Sequence, residues 1–213
     1  ILIGLVGSEM CIRDRSLLFA MIIGMIFALM NVGRNRVLNC IGTIYVDAVR
    51  GVPLIVLAYF IYFGVPSGMK MMGATDFRLS ALQAGTIALA MNCGAYMAEI
   101  IRAGIQSVDK GQMEASRSLG LSYAKSMRLV ILPQAIRTMV PSIINQFIIT
   151  LKDTSILSVI GFPELVNTAK NVVANSFMSF QTWGIVAVMY LIVITILSKV
   201  AKIVERRLNR GRK

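Results

Sequence analysis

The stretch LSALQAGTIALAMNCGAYMAEII, residues 79–101, runs from Leu79 to Ala98 without a charge. About 20 apolar residues suffice to carry a helix across a ~30 Å hydrocarbon core, so this stretch reads as a membrane crossing. Outward from it the pattern repeats. Further charge-free windows occupy Ser16–Gly33, Gly51–Met69, Thr138–Leu151, Thr154–Pro163 and Asn171–Ser198. Of the 213 residues, 56% are hydrophobic and only 15% charged, with a mean hydropathy of +0.73. A soluble domain of this size needs a more polar surface. We therefore expect an all-α integral membrane protein. It should have about five transmembrane helices, at roughly Ser16–Gly33, Gly51–Val65, Leu79–Ile101, Thr138–Ile160 and Thr182–Val200.

The formal charge of +12 follows this layout. Five crossings make the connecting segments alternate sides. One side then receives Arg34, Arg36, Arg50, Arg102, Lys110, Arg117, Lys125, Arg128, Arg137, Lys199, Lys202, Arg206, Arg207, Arg210, Arg212 and Lys213. The other holds Lys70, Arg78 and Lys170. Basic residues gather on the cytoplasmic face of a plasma membrane, which sets the N-terminus outside and the C-terminus inside. Nucleic-acid binders are also basic, but they do not alternate basic clusters with membrane-length apolar blocks, so no nucleic-acid partner is expected.

Arg13 and Arg15 fall on the wrong side of that scheme. The run VGSEMCIRDR, residues 6–15, resembles adapter-derived translations found in assembled environmental sequences. We expect residues 1–15 to be a foreign junction. The plainer alternative is a short extracytoplasmic lead, and no small-residue cleavage pattern supports a signal peptide. Residues 16–205 form the membrane domain and 206–213 a basic cytoplasmic tail. The chain has no histidine, which removes the commonest general base and metal ligand. Cys11, Cys40 and Cys93 show no metal or redox spacing, and Cys40 and Cys93 read as small apolar filler. No metal site is expected.

The polar stretch 102–137 cannot span, yet its pattern is helical. Asp109 suits an N-cap. Gly120 follows the last apolar residue, where a left-handed glycine ends a helix. A second helix begins near Ser122, presents Tyr123, Met127, Val130 and Ile131 at helical spacing, and is stopped or kinked by Pro133. By itself this pattern also suits an amphipathic helix lying on lipid.

Spaced motifs add a family resemblance. Glu114-Ala115-Ser116, then Gly120, then Val130-Ile131-Leu132-Pro133 resembles the EAA loop of ABC-importer permeases, with Ser116 and Val130 as mild departures. Arg50 to Leu54, Gly94 to Ile100, Ile105 to Val108, Lys110 to Gln112, Asn145 to Phe147 and Lys152 to Ser155 resemble the polar amino acid (histidine/glutamine/arginine) importer branch. The resemblance covers about Ser16 to the C-terminus.

That resemblance implies a type I ABC importer permease fold, with 16–205 as the permease domain and an EAA loop at about 102–137. The loop would form a coupling helix docked in a groove of a cytoplasmic ABC ATPase dimer. Glu114 would order it by a charge-assisted hydrogen bond, Ala115 and Gly120 would permit close approach, Ser116 would keep the packing, and Tyr123 and Met127 would fill the groove, ahead of Pro133. A second permease subunit, identical or similar, and an extracytoplasmic amino acid-binding protein complete the expected assembly, working by alternating access in the bacterial plasma membrane. ATP and Mg belong to the ATPase. This chain has no GxxxxGK[ST] loop, carries no cofactor and is not an enzyme. The segments Gly94–Ile100 and Lys152–Leu157 look like glutamine-type permeases. The competing class is a self-contained channel or secondary carrier, which has no use for a docking lever.

Lys152-Asp153-Thr154-Ser155 interrupts the fourth apolar stretch. Thr138–Leu151 extends only about 21 Å as a helix, so these charges sit at membrane depth, where each costs about 2.5–3.5 kcal/mol at mid-helix. They mark a translocation pathway or an internal Lys152–Asp153 bridge or helix cap. Asn92 contacts substrate or makes an interhelical hydrogen bond. Glu99, a further pathway candidate, is spaced for an i,i+3 pair with Arg102. Trp183 and Tyr190 read as anchors or packing residues.

Overall fold

The computed structural model describes residues 19, 22–31, 33, 35–74 and 76–209, with side chains through 207. The junction expected at 1–15 and the last residues of the tail lie outside the described residues. Among the described residues the regular elements are all helices. They are α1 (Ile22–Asn31), α2 (Arg36–Gly51), α3 (Leu54–Met71), α4 (Ala81–Gln106), α5 (Lys110–Ser118), α6 (Tyr123–Ile160), α7 (Leu165–Ser176) and α8 (Ser179–Asn209). Helices α3, α4, α6 and α8 are long and apolar enough to cross a membrane, and α1 is a shorter apolar helix.

Polar side chains start these helices by accepting the N–H groups that a first turn leaves unpaired. Asn35 accepts from Val37 at 3.0 Å to open α2. Ser80 and Gln83 form a reciprocal capping box on α4. Asp109 accepts from Gly111 at 2.7 Å to open α5, as its place before the helical pattern predicts.

Helix α4 is the centre of the bundle. Its most apolar stretch is 67% buried, against 6% for α8, which therefore presents its apolar surface outward. Helix α6 runs antiparallel to α4, and the depth of the contacts shows it. Gly104 lies against Met139, Cys93 against Thr150, and Gly85 against Leu157 and Phe162. Helices α1 and α2 form an antiparallel hairpin. Asn39 Nδ2 donates to the Asn31 carbonyl at 2.8 Å, and Phe27 stacks on Tyr45 with ring centroids 3.8 Å apart.

Close packing at α1 depends on a missing side chain. A Cβ at Gly24 would lie 2.6 Å from the Met97 Cβ and 3.0 Å from the Gly94 carbonyl oxygen. Neither obstacle can swing aside, because both belong to or adjoin the backbone of α4. Gly24→Val is expected to cost about 1–3 kcal/mol by overpacking and to lower the thermal midpoint in detergent. Gly68→Ala, placed in open space on α3, should leave that midpoint in place.

The structure corrects several expectations. Residues 36–51 are not a plain connection: they form α2, which packs against α4 before Pro53 releases the chain into α3. The second crossing runs Leu54–Met71 rather than Gly51–Val65, and the fifth helix extends beyond Thr182–Val200 at both ends. Pro133 does not stop its helix. Helix α6 begins at Tyr123 and continues through Pro133 to Ile160, so the second loop helix and the fourth crossing are one element. A π-turn at Met127–Ile131 makes this possible: the Leu132 N–H bonds back five residues to the Met127 carbonyl, just before the proline that has no N–H. The same device precedes Pro66, where the Val65 N–H bonds to the Phe60 carbonyl.

Candidate functional site

Helices α5 and α6 meet in an elbow at residues 119–122. Gly120 has φ +84°, a left-handed conformation that a side chain disfavours. The Leu121 N–H bonds to the Ser116 carbonyl and the Gly120 N–H to that of Arg117, closing α5 on itself. Ser122 then caps α6 by accepting from the Lys125 N–H at 3.4 Å.

One face of the elbow is pinned to the bundle. Met113, Met127 and Val130 pack against a buried cluster that includes Ala28, Val46, Ile105, Ile131 and Ala135. Ser116 is buried and its hydroxyl donates to the Met113 carbonyl at 2.9 Å. The other face is open. Glu114 and Ala115 are exposed, and Glu114 makes no side-chain hydrogen bond among the described residues. Tyr123 is 49% exposed and Leu119, at the apex, 84%. Of the two anchors expected from the sequence, Tyr123 faces outward and Met127 faces the bundle. Leu119 was missed. Its place just before the left-handed glycine, at the tip of the turn, was the available signal.

At the far end of α6, Lys152 and Ser155 border an open groove of about 540 Å³ lined by Val166 of α7 and by Trp183, Val186 and Tyr190 of α8. Lys152 and Asp153 do not bridge one another: among the described residues the ion pairs are those of Glu99 with Arg50 and Arg102. Asp153 makes no cap hydrogen bond either. It is half-buried on the helical face it shares with Gln146 and Thr150, four- and three-residue steps apart. Thr150 Oγ1 donates to the Gln146 carbonyl at 2.9 Å and lies 3.3 Å from Cys93 Sγ of α4. Neighbours in sequence thus face different surroundings, Lys152 the groove and Asp153 the bundle. Thr154 and Ser155 turn their hydroxyls back to the carbonyls of Leu151 and Lys152 at 2.7 and 2.6 Å. These bonds begin the 3₁₀ turns at Thr154–Ile160 that end in left-handed Gly161.

Glu99 forms the expected i,i+3 pair with Arg102, and the structure adds a third member. Arg50, at the end of α2, lies 3.8 Å from Glu99 Oε2 and sits over the Tyr96 ring at 5.2 Å. Arg102 also donates to Gln106 Oε1 at 2.8 Å. Glu99 therefore joins α2 to α4, a role its spacing alone does not disclose. Asn92 is buried in α4, and among the described residues its side chain finds no hydrogen-bond partner. Among the described residues no group of three or more Cys, Asp or Glu could hold a metal ion.

An exposed helical elbow is thus joined directly to a membrane-length helix. Residues 20–211 match the model of the binding-protein-dependent transport system inner membrane component. The chain belongs to that family. This permease is 37% identical over 189 residues to the glutamine transport system permease protein GlnP of Escherichia coli (strain K12), covering 89% of this chain and 84% of the relative. It is 38% identical over 190 residues to the probable glutamine ABC transporter permease protein GlnM of Bacillus subtilis (strain 168), covering 89% and 85%. Among solved structures, the crystal structure of an amino acid ABC transporter with histidines superposes with a TM-score of 0.84 at 38% identity, covering 92% of this chain and 88% of that one. The fold is that of an ABC importer permease, in the membrane in several passes, and the chain is a permease subunit rather than the enzyme of its system. The self-contained carrier gives way to this reading.

Proposed function

We propose that this permease carries polar amino acids into the cell, with the α5–α6 elbow seated on a cytoplasmic ABC ATPase dimer and Lys152–Ser155 on the translocation pathway. One observation carries the proposal: the helix that leaves the exposed elbow at Tyr123, α6, continues to Lys152. A push at Tyr123 reaches Lys152 along one helix, through the π-turn at Met127–Ile131. Ala115, Leu119, Gly120 and Tyr123 make the contact face, Glu114 offers a charged acceptor to the partner, Ser116 and Met127 turn toward the bundle, and Pro133 follows the π-turn that carries the elbow into α6.

The N-terminus is outside and the C-terminus cytoplasmic, in keeping with the basic residues of the elbow and tail. A second permease chain, the same or similar, and an extracytoplasmic binding protein complete the assembly, and ATP and Mg are bound by the ATPase. Substrate choice rests on the relatives, whose names carry glutamine and amino acids. Glutamine is the first substrate to test.

Uptake of labelled glutamine, histidine and arginine by proteoliposomes holding the permease, its ATPase and its binding protein tests the whole reading. Asp153→Asn is expected to lower uptake several-fold. Full uptake with unchanged selectivity would remove Asp153 from the pathway. Cysteine labelling of residues 110–128 from the outer face alone would overturn the orientation and the docking together.

A further inference from the structure

Helix α5 carries the exposed contact face, yet α6 carries the motion, so something must fix the angle between them. The shared packing of Met113, Met127 and Val130 against one buried cluster holds them together but is not directional. The directional contact is polar. Gln134 Nε2, on α6, donates to Gln112 Oε1 on α5 at 3.3 Å and to the Val130 carbonyl at 2.9 Å. The same amide returns to its own helix at the Val130 carbonyl, within the π-turn that precedes Pro133. The other donor of the same amide reaches across 22 residues of sequence to α5. The clasp therefore ties α5 to the place where the ladder of α6 slips by one residue, which is where α6 is least able to hold an angle by itself.

We propose that Gln134, through Gln112, is the positioning residue that fixes α5 on α6 and sets how much of the partner's motion reaches the membrane. This rests on the reading of the elbow as an ATPase contact, and deepens it by assigning the angle between α5 and α6 to one polar contact.

The test uses the complete transporter in proteoliposomes. It reads labelled amino acid taken up per ATP hydrolysed, and ATPase retained on the permease. Gln134→Leu, which keeps bulk and removes the donor, should lower uptake per ATP by about fivefold with ATPase retention unchanged. The double variant Gln112→Glu/Gln134→Lys, which rebuilds the clasp as an ion pair, should return the ratio to within about twofold of the unaltered protein. Unchanged uptake per ATP in Gln134→Leu overturns the clasp and leaves the docking reading standing. Loss of ATPase retention that the double variant does not repair also overturns it, because it marks a folding role. An unaltered permease that retains no ATPase sinks both readings.

Discussion

Gly120→Val is expected to abolish co-purification of the ATPase while leaving the permease in the membrane. The reason is local. Gly120 holds φ at +84°, and a β-branched residue in a sparsely populated conformation costs about 1–3 kcal/mol. The elbow relieves that strain by unwinding the bonds from Gly120 and Leu121 back to Arg117 and Ser116. Leu119 and Tyr123 then lose the spacing that presents them on one face. The bundle does not share the damage, because nothing lies within 4 Å of the Gly120 Cβ position. Thermal stability in detergent should therefore change little, and ATP-dependent uptake should fall with the lost ATPase. Gly120→Asn, a residue that tolerates the left-handed region, should keep much of both. Equal co-purification by the Val and Asn variants would remove the elbow from the contact.

Lys152→Gln is expected to lower uptake at least tenfold with ATPase retention intact. Lys152 borders the groove beside Ser155, Trp183 and Tyr190. On the proposed pathway, an ammonium without an ion-pair partner among the described residues is free to receive a ligand's charge. An α-carboxylate, common to all amino acids, is the group an ammonium there would receive. A tenfold loss corresponds to about 1.4 kcal/mol, within the range of one charge-assisted hydrogen bond. Lys152→Arg should retain part of the uptake for every amino acid tested, since the charge remains. A Lys152→Gln transporter that imports at the unaltered rate would take Lys152 off the pathway.

The elbow was largely legible before the structure, because its signals are local. Asp109, Gly120 and Ser122 act on backbone groups within three or four residues of themselves, so their roles follow from order along the chain. The pairing of Glu99 with Arg102 is legible for the same reason. The direction of Met127 was not, since helical spacing gives a shared face but not which way that face turns. The continuity of α6 was hidden by Pro133, whose usual effect is overridden by a one-residue slip in the hydrogen-bond ladder that no residue type announces.

Composition and the order of apolar blocks determined that this chain lives in a membrane, because the cost of burying or exposing charge in hydrocarbon is large and nearly independent of the neighbours. The spaced EAA-type motif determined its kind. Only the tertiary structure decided that Arg50 of α2 joins the Glu99 pair, that Lys152 and Asp153 face apart, and that Gln134 reaches Gln112. Those outcomes depend on how helices distant in sequence rotate about their own axes, and that rotation is set by small-residue contacts such as Gly24 on Gly94 and Gly104 on Met139, each the joint product of two segments rather than the property of either.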